Sequence, residues 1–242
     1  MSQKLTFYIV RHGKTLMNTL DRVQGWCDSP LTREGIEMAR HLGYGFGDDV
    51  RFRSAYCSDL RRTRQTAQLI LGSKGQSDIG IEEFAGFREV CFGSSESSYN
   101  KEMWGRAAKE LGYENLPDMF ADVLVQKRSY VEILKVIKSF DTLDMAEDFT
   151  QVEARTQEQL HEIARREIQK GSGNILVVAH GMCMICMLYN MGGKELMGEG
   201  IENASVCKVE YEDGKFTVQS MFDLSYLNKG RELALQTAEV QL

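Results

Sequence analysis

Leu5-Thr6-Phe7-Tyr8-Ile9-Val10, running directly into Arg11-His12-Gly13, decides the fold. A continuous apolar run rich in aromatic and β-branched residues is the pattern of a strand buried on both faces. Such strands occur in largely parallel sheets, whose crevices open beyond the carboxyl ends of the strands. A histidine set there can attack phosphorus while the neighbouring arginine holds the phosphate oxygens, and the glycine lets the backbone turn close beside it. The stretch reads as a buried strand that delivers a phosphate-handling site.

Working outward, Ile175-Leu176-Val177-Val178-Ala179 repeats the arrangement and ends in His180-Gly181. Two strand-end histidines can face one crevice when their strands are neighbours. Gly25 to Pro30 reads as a loop, after which Thr32 caps a helix with Glu34 in its first turn and Ile36, Ala39 and Leu42 on its apolar face. Ala55-Tyr56-Cys57 reads as a short strand, and Ser58 as the cap of a helix that carries Leu60, Ala67, Ile70 and Leu71 at helical spacing. From about Gly93 to Phe149 this alternation breaks. The later half of that segment, with Val123, Val131, Leu134 and Ile137, suits a helix.

A further helix from about Thr150 to Lys170 turns Leu160, Ile163, Ala164 and Ile168 inward and leads through Gly171-Ser172-Gly173 into the second strand. The runs from Ser205 to Glu210 and from Lys215 to Gln219 alternate around Asp213-Gly214, a closing hairpin, and the tail beyond is expected to be dispensable to the core. The expected architecture is α/β: one domain over residues 1–242, a three-layer sandwich with a mostly parallel central sheet and helices on both faces. A helical insertion at about 94–149 is expected to lie over the active site.

With 242 residues, 43% of them hydrophobic, the chain can bury a substantial core. Its net charge of −6 argues against a nucleic-acid binder, yet a local cationic cleft can still hold an anionic substrate. No apolar run approaches the roughly 20 residues that span a bilayer, and the polar start lacks the tract of a signal peptide. The reading is therefore a cytoplasmic protein without a membrane partner. The six scattered cysteines suit reduced thiols, and Cys183-Met184-Ile185-Cys186, flanked by Met182, Met187 and Leu188, reads as buried helix rather than a redox or metal motif. Asn203-Ala204-Ser205 matches a glycosylation acceptor, without consequence in a chain that lacks an export signal. Gly171-Ser172-Gly173 precedes its strand, where a nucleotide-binding loop would follow one, so no cofactor is expected.

Taken in order, Arg11-His12-Gly13-Lys14-Thr15 with Asn18, Gly25-Trp26 with Asp28, Leu31-Thr32 with Gly35, Ser58 through Thr66, Glu89 with Phe92-Gly93, Glu147 and Arg155, Val177 to Gly181, and Asn203-Ala204-Ser205 span nearly the whole chain. This set resembles the histidine phosphatase superfamily, the phosphoglycerate mutase-like family. The resemblance implies that His12 is the nucleophile that becomes phosphorylated, that Arg11 and Arg62 grip the phosphoryl oxygens, and that His180 donates to the same oxygens. It makes Glu89 the acid and then the base, adds Asn18 and Gly181 to the phosphate site, and sets Asn203 and Ser205 nearby. Arg62, rather than Arg61, meets the family spacing of Ser58, Leu60, Arg62 and Thr66. Asp28 and Glu83 are rival carboxylates for the acid's role.

Two departures stand out: Ser97 follows Glu96 where the family keeps glycine, and Lys14 replaces a carboxylate or amide, adding positive charge near the mouth. The implied activity is a metal-independent phosphatase that acts on a small phosphorylated metabolite through a phosphohistidine, with a homodimer left open. One alternative is a cofactor-dependent phosphoglycerate mutase, whose insertion carries a tryptophan followed by two arginines and a serine. Met103-Trp104-Gly105-Arg106 and Lys127-Arg128-Ser129 match that pattern poorly. The other alternative is a noncatalytic phospholigand-binding protein of the same fold.

Overall fold

The computed structural model describes residues 3–197 and 200–239. Strands β1 (Lys4–Arg11), β2 (Phe52–Cys57), β3 (Ile81–Glu83), β4 (Gly173–Ala179), β5 (Val206–Glu212) and β6 (Lys215–Asp223) form one sheet of order β3-β2-β4-β1-β5-β6. Pairing is parallel from β3 through β2 and β4 to β1 and antiparallel from β1 through β5 to β6, so β5 alone opposes the rest. The hairpin between β5 and β6 turns at Asp213 and Gly214, whose φ of 50° and 81° match the twist of the flanking strands.

Helices α1 (Leu16–Thr19), α2 (Arg33–Gly45), α3 (Arg61–Ser73), α4 (Asn100–Glu110), α5 (Leu116–Leu124), α6 (Tyr130–Ser139), α7 (Phe149–Ile168), α8 (Gly181–Leu188) and α9 (Ser225–Glu239), with four single-turn 3-10 helices, complete the described elements. Alternate residues of the central strands enter two separate cores, which makes three layers. Leu5, Phe7, Ile9, Ile175 and Val177 face the core shared with α4 to α8, whereas Tyr8, Val10, Leu176 and Val178 face the core shared with α2, α3 and α9. Both faces are therefore apolar, the reason that β1 and β4 read as unbroken runs. Among the described residues no helix is long and apolar enough to cross a membrane.

Three local expectations need correction. The tail after β6 is part of the core: Leu227 is 1% exposed, and the Tyr226 ring sits 5.0 Å from Phe46 and 6.0 Å from Tyr8. Its helix meets α2 backbone to backbone, since a Cβ at Gly45 would lie 1.6 Å from the Tyr226 carbonyl oxygen and one at Gly230 would lie 1.7 Å from that of His41. Glycine carries no hydrophobic signal, so this contact left no mark in the pattern. Ser58 is not the cap of α3; Leu60 holds that position without a side-chain bond, and Asp28 Oδ2 accepts from Arg61 N at 2.6 Å. Lastly, Val123 belongs to α5, while Val131, Leu134 and Ile137 lie on α6, with Gln126 at a φ of 58° between the two helices.

Candidate active site

The parallel register of β1, β4 and β2 carries His12, His180 and Ser58 to one end of the sheet. The histidine rings stand edge to face with centroids 5.3 Å apart, so the shared crevice expected from the sequence is formed. His12 Nδ1 lies 2.8 Å from the Gly13 carbonyl oxygen, which can only accept. That contact assigns the proton to Nδ1 and leaves the Nε2 lone pair free. Burial, with Arg62 and Arg11 alongside, pushes the imidazole well below its ordinary 6.5. It is a neutral nitrogen base among cations.

Arg62 is fully buried, and its guanidinium is held on several sides. Nη1 donates to the Cys27 carbonyl at 2.9 Å and to Asp28 Oδ1 at 3.0 Å, and Nη2 donates to the Gly25 carbonyl at 2.7 Å. Nε donates to His180 Nδ1 at 3.2 Å, so the His180 proton sits on Nε2, which meets Ser58 Oγ at 2.7 Å. One of the five guanidinium N–H groups remains uncommitted. Both ring nitrogens of His180 are thus engaged within the protein, and its pKa is lowered by burial and then by Arg62 and His12.

Arg11 is the complementary case. One Nη1–H donates to the Ile201 carbonyl, while the buried Nε has no partner among the described residues. An unmade hydrogen bond of that kind costs about 1–3 kcal/mol, which an anion in the crevice would recover. Asn18 Oδ1 accepts from Thr15 N at 3.1 Å and from Asn203 Nδ2 at 3.3 Å, an arrangement that leaves the Asn18 amide hydrogens uncommitted. Asn203 Nδ2 also donates to the His12 carbonyl at 3.0 Å, so it ties the two phosphate-site segments together.

Glu89 is buried at the start of α8. Its Oε1 accepts from Val90 N at 2.9 Å and Cys183 N at 2.7 Å, and its Oε2 accepts from Met182 N at 3.1 Å. Burial raises its pKa, opposed by those three N–H groups and by Arg62. The loop that carries it is clamped by Arg155 on α7, whose Nη atoms donate to the carbonyls of Gly86, Arg88 and Glu89 at 2.7–2.9 Å. Arg155 spends its other two N–H groups on Glu147, at 2.7 Å each, and Glu147 Oε2 in turn accepts from Cys91 N. All five donors of Arg155 are therefore used. The rival carboxylates have other partners: Asp28 pairs with Arg62, and Glu83 with Arg64 at 3.2 Å.

Glu96 organises the opposite lip. It accepts from the backbone N–H groups of Gly25, Trp26, Cys27 and Phe92, and so fixes the loop whose carbonyls hold Arg62. Ser97, which follows Glu96, adopts a φ of 64°, a conformation that glycine ordinarily supplies. Lys14 pairs with Glu34 at 2.7 Å and does not line the cavity, so its extra charge is spent outside the site.

A cavity of about 270 Å³ opens on Arg11, His12, Asn18, Glu89 and Gly181. Arg62 and His180 stand behind these residues rather than in the lining. The insertion supplies Asn100, Trp104, Phe120 and Tyr130 to the same cavity, and the loop after α1 supplies Arg22, Val23 and Gln24. Sequence reasoning named none of these seven as site residues. No local signal marked them, since they come from a loop and from three separate helices that meet only in the folded chain. The helix after His180 is core: every residue from Gly181 to Leu188 is buried, including Cys183 and Cys186.

A family model described as the histidine phosphatase superfamily (branch 1) matches residues 7–224. The chain belongs to the histidine phosphatase superfamily. It is 28% identical to a metal-independent phosphoserine phosphatase of Arabidopsis thaliana over 227 residues, which cover 94% of this chain and 85% of that protein. It is 27% identical to a protein of Salmonella arizonae named as a probable phosphoglycerate mutase, covering 93% and 95% of the two chains. Among solved structures, one titled as a phosphoglycerate mutase from Bacillus anthracis superposes with a TM-score of 0.88 at 36% identity, covering 95% of this chain and 98% of that one. Superfamily members thus include both activities weighed from the sequence.

Proposed function

We propose that this protein is a metal-independent phosphatase of small phosphomonoesters that works through a phosphohistidine. The observation that carries the reading is the paired state of Arg11 and His12: a buried guanidinium nitrogen without a partner beside a buried, neutral imidazole with a free Nε2. The first supplies a fixed donor for a phosphoryl oxygen, and the second supplies the nucleophile.

In the first step His12 Nε2 attacks phosphorus in line, the bond from phosphorus to the ester oxygen breaks, and Glu89 gives its proton to the departing alkoxide. Oε2 of Glu89, with a single backbone donor, has room to carry that proton. In the second step water attacks the phosphohistidine, Glu89 takes the water's proton, and the bond from phosphorus to nitrogen breaks. Arg11 holds the phosphoryl oxygens throughout, with Asn18 and the first turn of α8 at Gly181 beside it, and Arg62 adds its charge and its spare N–H from behind. His180 acts here through Arg62, whose guanidinium it orients from behind.

Hydrolysis is favoured over phosphoglycerate interconversion by the direction of the insertion's cations. Arg106 stacks over Phe140 at 3.8 Å, Arg128 pairs with Glu132 at 2.7 Å, and neither lines the cavity. The insertion therefore offers no charge to a second phosphate or an acceptor held against water. All six cysteines carry free thiols, which supports a reducing compartment such as the cytoplasm. The test is phosphate release from an aryl phosphate, together with an acid-labile phosphoryl label on the protein that is absent from His12→Ala. Bisphosphate-primed interconversion of phosphoglycerates in place of release would favour the mutase, and neither activity would favour the binder.

A further inference from the structure

Besides the phosphate-site residues, the cavity is lined by the rings of Phe92, Trp104, Phe120 and Tyr130, with Met182 and Ile201 next to Glu89 and Arg11. Of the polar groups that share this lining, Gln24 is engaged by Thr15 and Ser29, and Asn100 Nδ2 by Asp21. The aromatic part is continuous: the Phe92 and Trp104 rings lie 6.3 Å apart, and Trp104 and Phe120 lie 5.9 Å apart. Tyr130 is 6% exposed, and its ring is held edge to face against Tyr189 with centroids 6.4 Å apart. Arg22, the second cation of the lining, is drawn aside, donating to the Ser97 carbonyl at 2.7 Å and lying 4.3 Å from the centre of the Tyr99 ring.

We infer that the leaving-group half of this site selects phosphomonoesters of apolar, ring-bearing alcohols over those of polyols or carboxylated alcohols. The inference rests on the phosphatase reading and names the substrate class within it. Aromatic side chains bind flat apolar groups by area and by edge or offset stacking, whereas a polyol placed against these rings would give up hydration there for fewer new partners. A volume of about 270 Å³, just below the usual range of ligand pockets, suits a small ester such as a phosphate carrying one ring. All three aromatic rings from the insertion come from different helices, α4, α5 and α6, so the wall exists only when the insertion is packed.

The test compares benzyl phosphate with glycerol phosphate and phosphoserine, esters of alcohols whose leaving groups are similarly basic, so that binding rather than bond strength sets the ratio. The wild-type protein is expected to show a kcat/KM for benzyl phosphate about tenfold or more above the other two, the discrimination that apolar contacts of this size supply. Trp104→Ala and, independently, Phe120→Ala should bring that ratio close to unity, with acid-labile labelling and a cooperative melt as the check that each variant is folded. A wild-type ratio near one, a preference for phosphoserine, or a ratio unmoved in both variants would overturn the inference. Failure to hydrolyse any ester, with no label on His12, would instead remove the phosphatase reading beneath it.

Discussion

The two halves of the cavity are built in opposite ways. The half at the sheet end is lined by Arg11, His12, Asn18 and Glu89 and backed by Arg62, His180 and Arg155, charged and polar groups whose hydrogen bonds are almost all spoken for. The half given by the insertion is Asn100 and aromatic rings held by packing, with the arginines of the insertion turned elsewhere. Preorganised dipoles in a dry site stabilise a reacting charge in a way that depends on geometry to fractions of an ångström, while apolar walls tolerate exchange of one ring for another. The difference teaches that reaction and selectivity reside in separate materials here, and that they can be altered separately.

The largest effect should come from the polar half. His12→Ala is expected to lower turnover of any phosphoester by about 10⁴-fold or more while leaving the melting transition in place. An unaltered rate would refute the scheme. Glu89→Gln should slow alkyl phosphates by about 10²–10⁴-fold and aryl phosphates far less, because only the alkoxide needs a proton as it leaves. Equal losses on both ester types would show that Glu89 does not act as the acid.

Arg155→Met tests whether the clamp matters to chemistry or to stability alone. Arg155 and Glu147 are only 20% and 14% exposed at their side chains, so removing one leaves the other nearly buried without its partner, at about 3 kcal/mol. Beyond that loss of melting temperature, the alkyl-to-aryl rate ratio should fall about tenfold as the Glu89 loop loosens, and Arg155→Lys should restore part of it. A ratio equal to that of the parent protein would assign Arg155 a purely structural role.

Acidity should separate the same groups. The rate falls as the pH drops through the lowered pKa of His12, below 6.5, and alkyl phosphate hydrolysis falls as the pH rises through the raised pKa of Glu89, above 4.5. Glu89→Gln should remove the alkaline limb and keep the acid one. Stability carries its own sign. In the unfolded chain His12 and His180 take protons near 6.5, where the native state refuses them, so this contribution is complete above that pH and lost below it. Glu89 acts oppositely, since the native state keeps a proton that the unfolded chain has released above 4.5, and its contribution is lost as the pH rises. Melting temperature measured against pH in the parent and in Glu89→Gln separates the two.

The smallest expected effect is Ser97→Gly. A non-glycine residue at a φ of 64° bears strain that glycine lacks, so the substitution should stabilise by about 1 kcal/mol, partly offset by the greater freedom of the unfolded chain. A lower melting temperature would mean that the contact of Ser97 Oγ with Cys27 Sγ, at 3.5 Å, outweighs the strain.

Much of the polar half was legible in the chain. Strand-end histidines announce themselves because a buried strand is a continuous apolar run and its end is the first place where a polar side chain can sit. Thr32 as a cap, the hairpin turn at Asp213 and Gly214, and the inward face of α7 were readable for equally local reasons. The true partner of Ser58 was not. A serine ahead of a helix looks like a cap, yet its hydroxyl meets Thr63 Oγ1 and His180 Nε2, the latter arriving from 122 residues away. The glycine-mediated contact of α9 with α2, the split of the insertion into separate helices and the withdrawal of Lys14 to Glu34 escaped for the same reason.

By itself the sequence determined which groups carry charge and lone pairs, the alternation of strands and helices around the sheet, and that two imidazoles stand at strand ends. The tertiary structure alone decided which donors are left over once the protein has satisfied itself: Arg11 Nε, one N–H of Arg62 and the Asn18 amide. Hydrogen-bond saturation is a sum over neighbours from distant parts of the chain, and no local pattern encodes such a sum. The aromatic wall is the same kind of property, assembled from helices whose side chains could equally have filled the core.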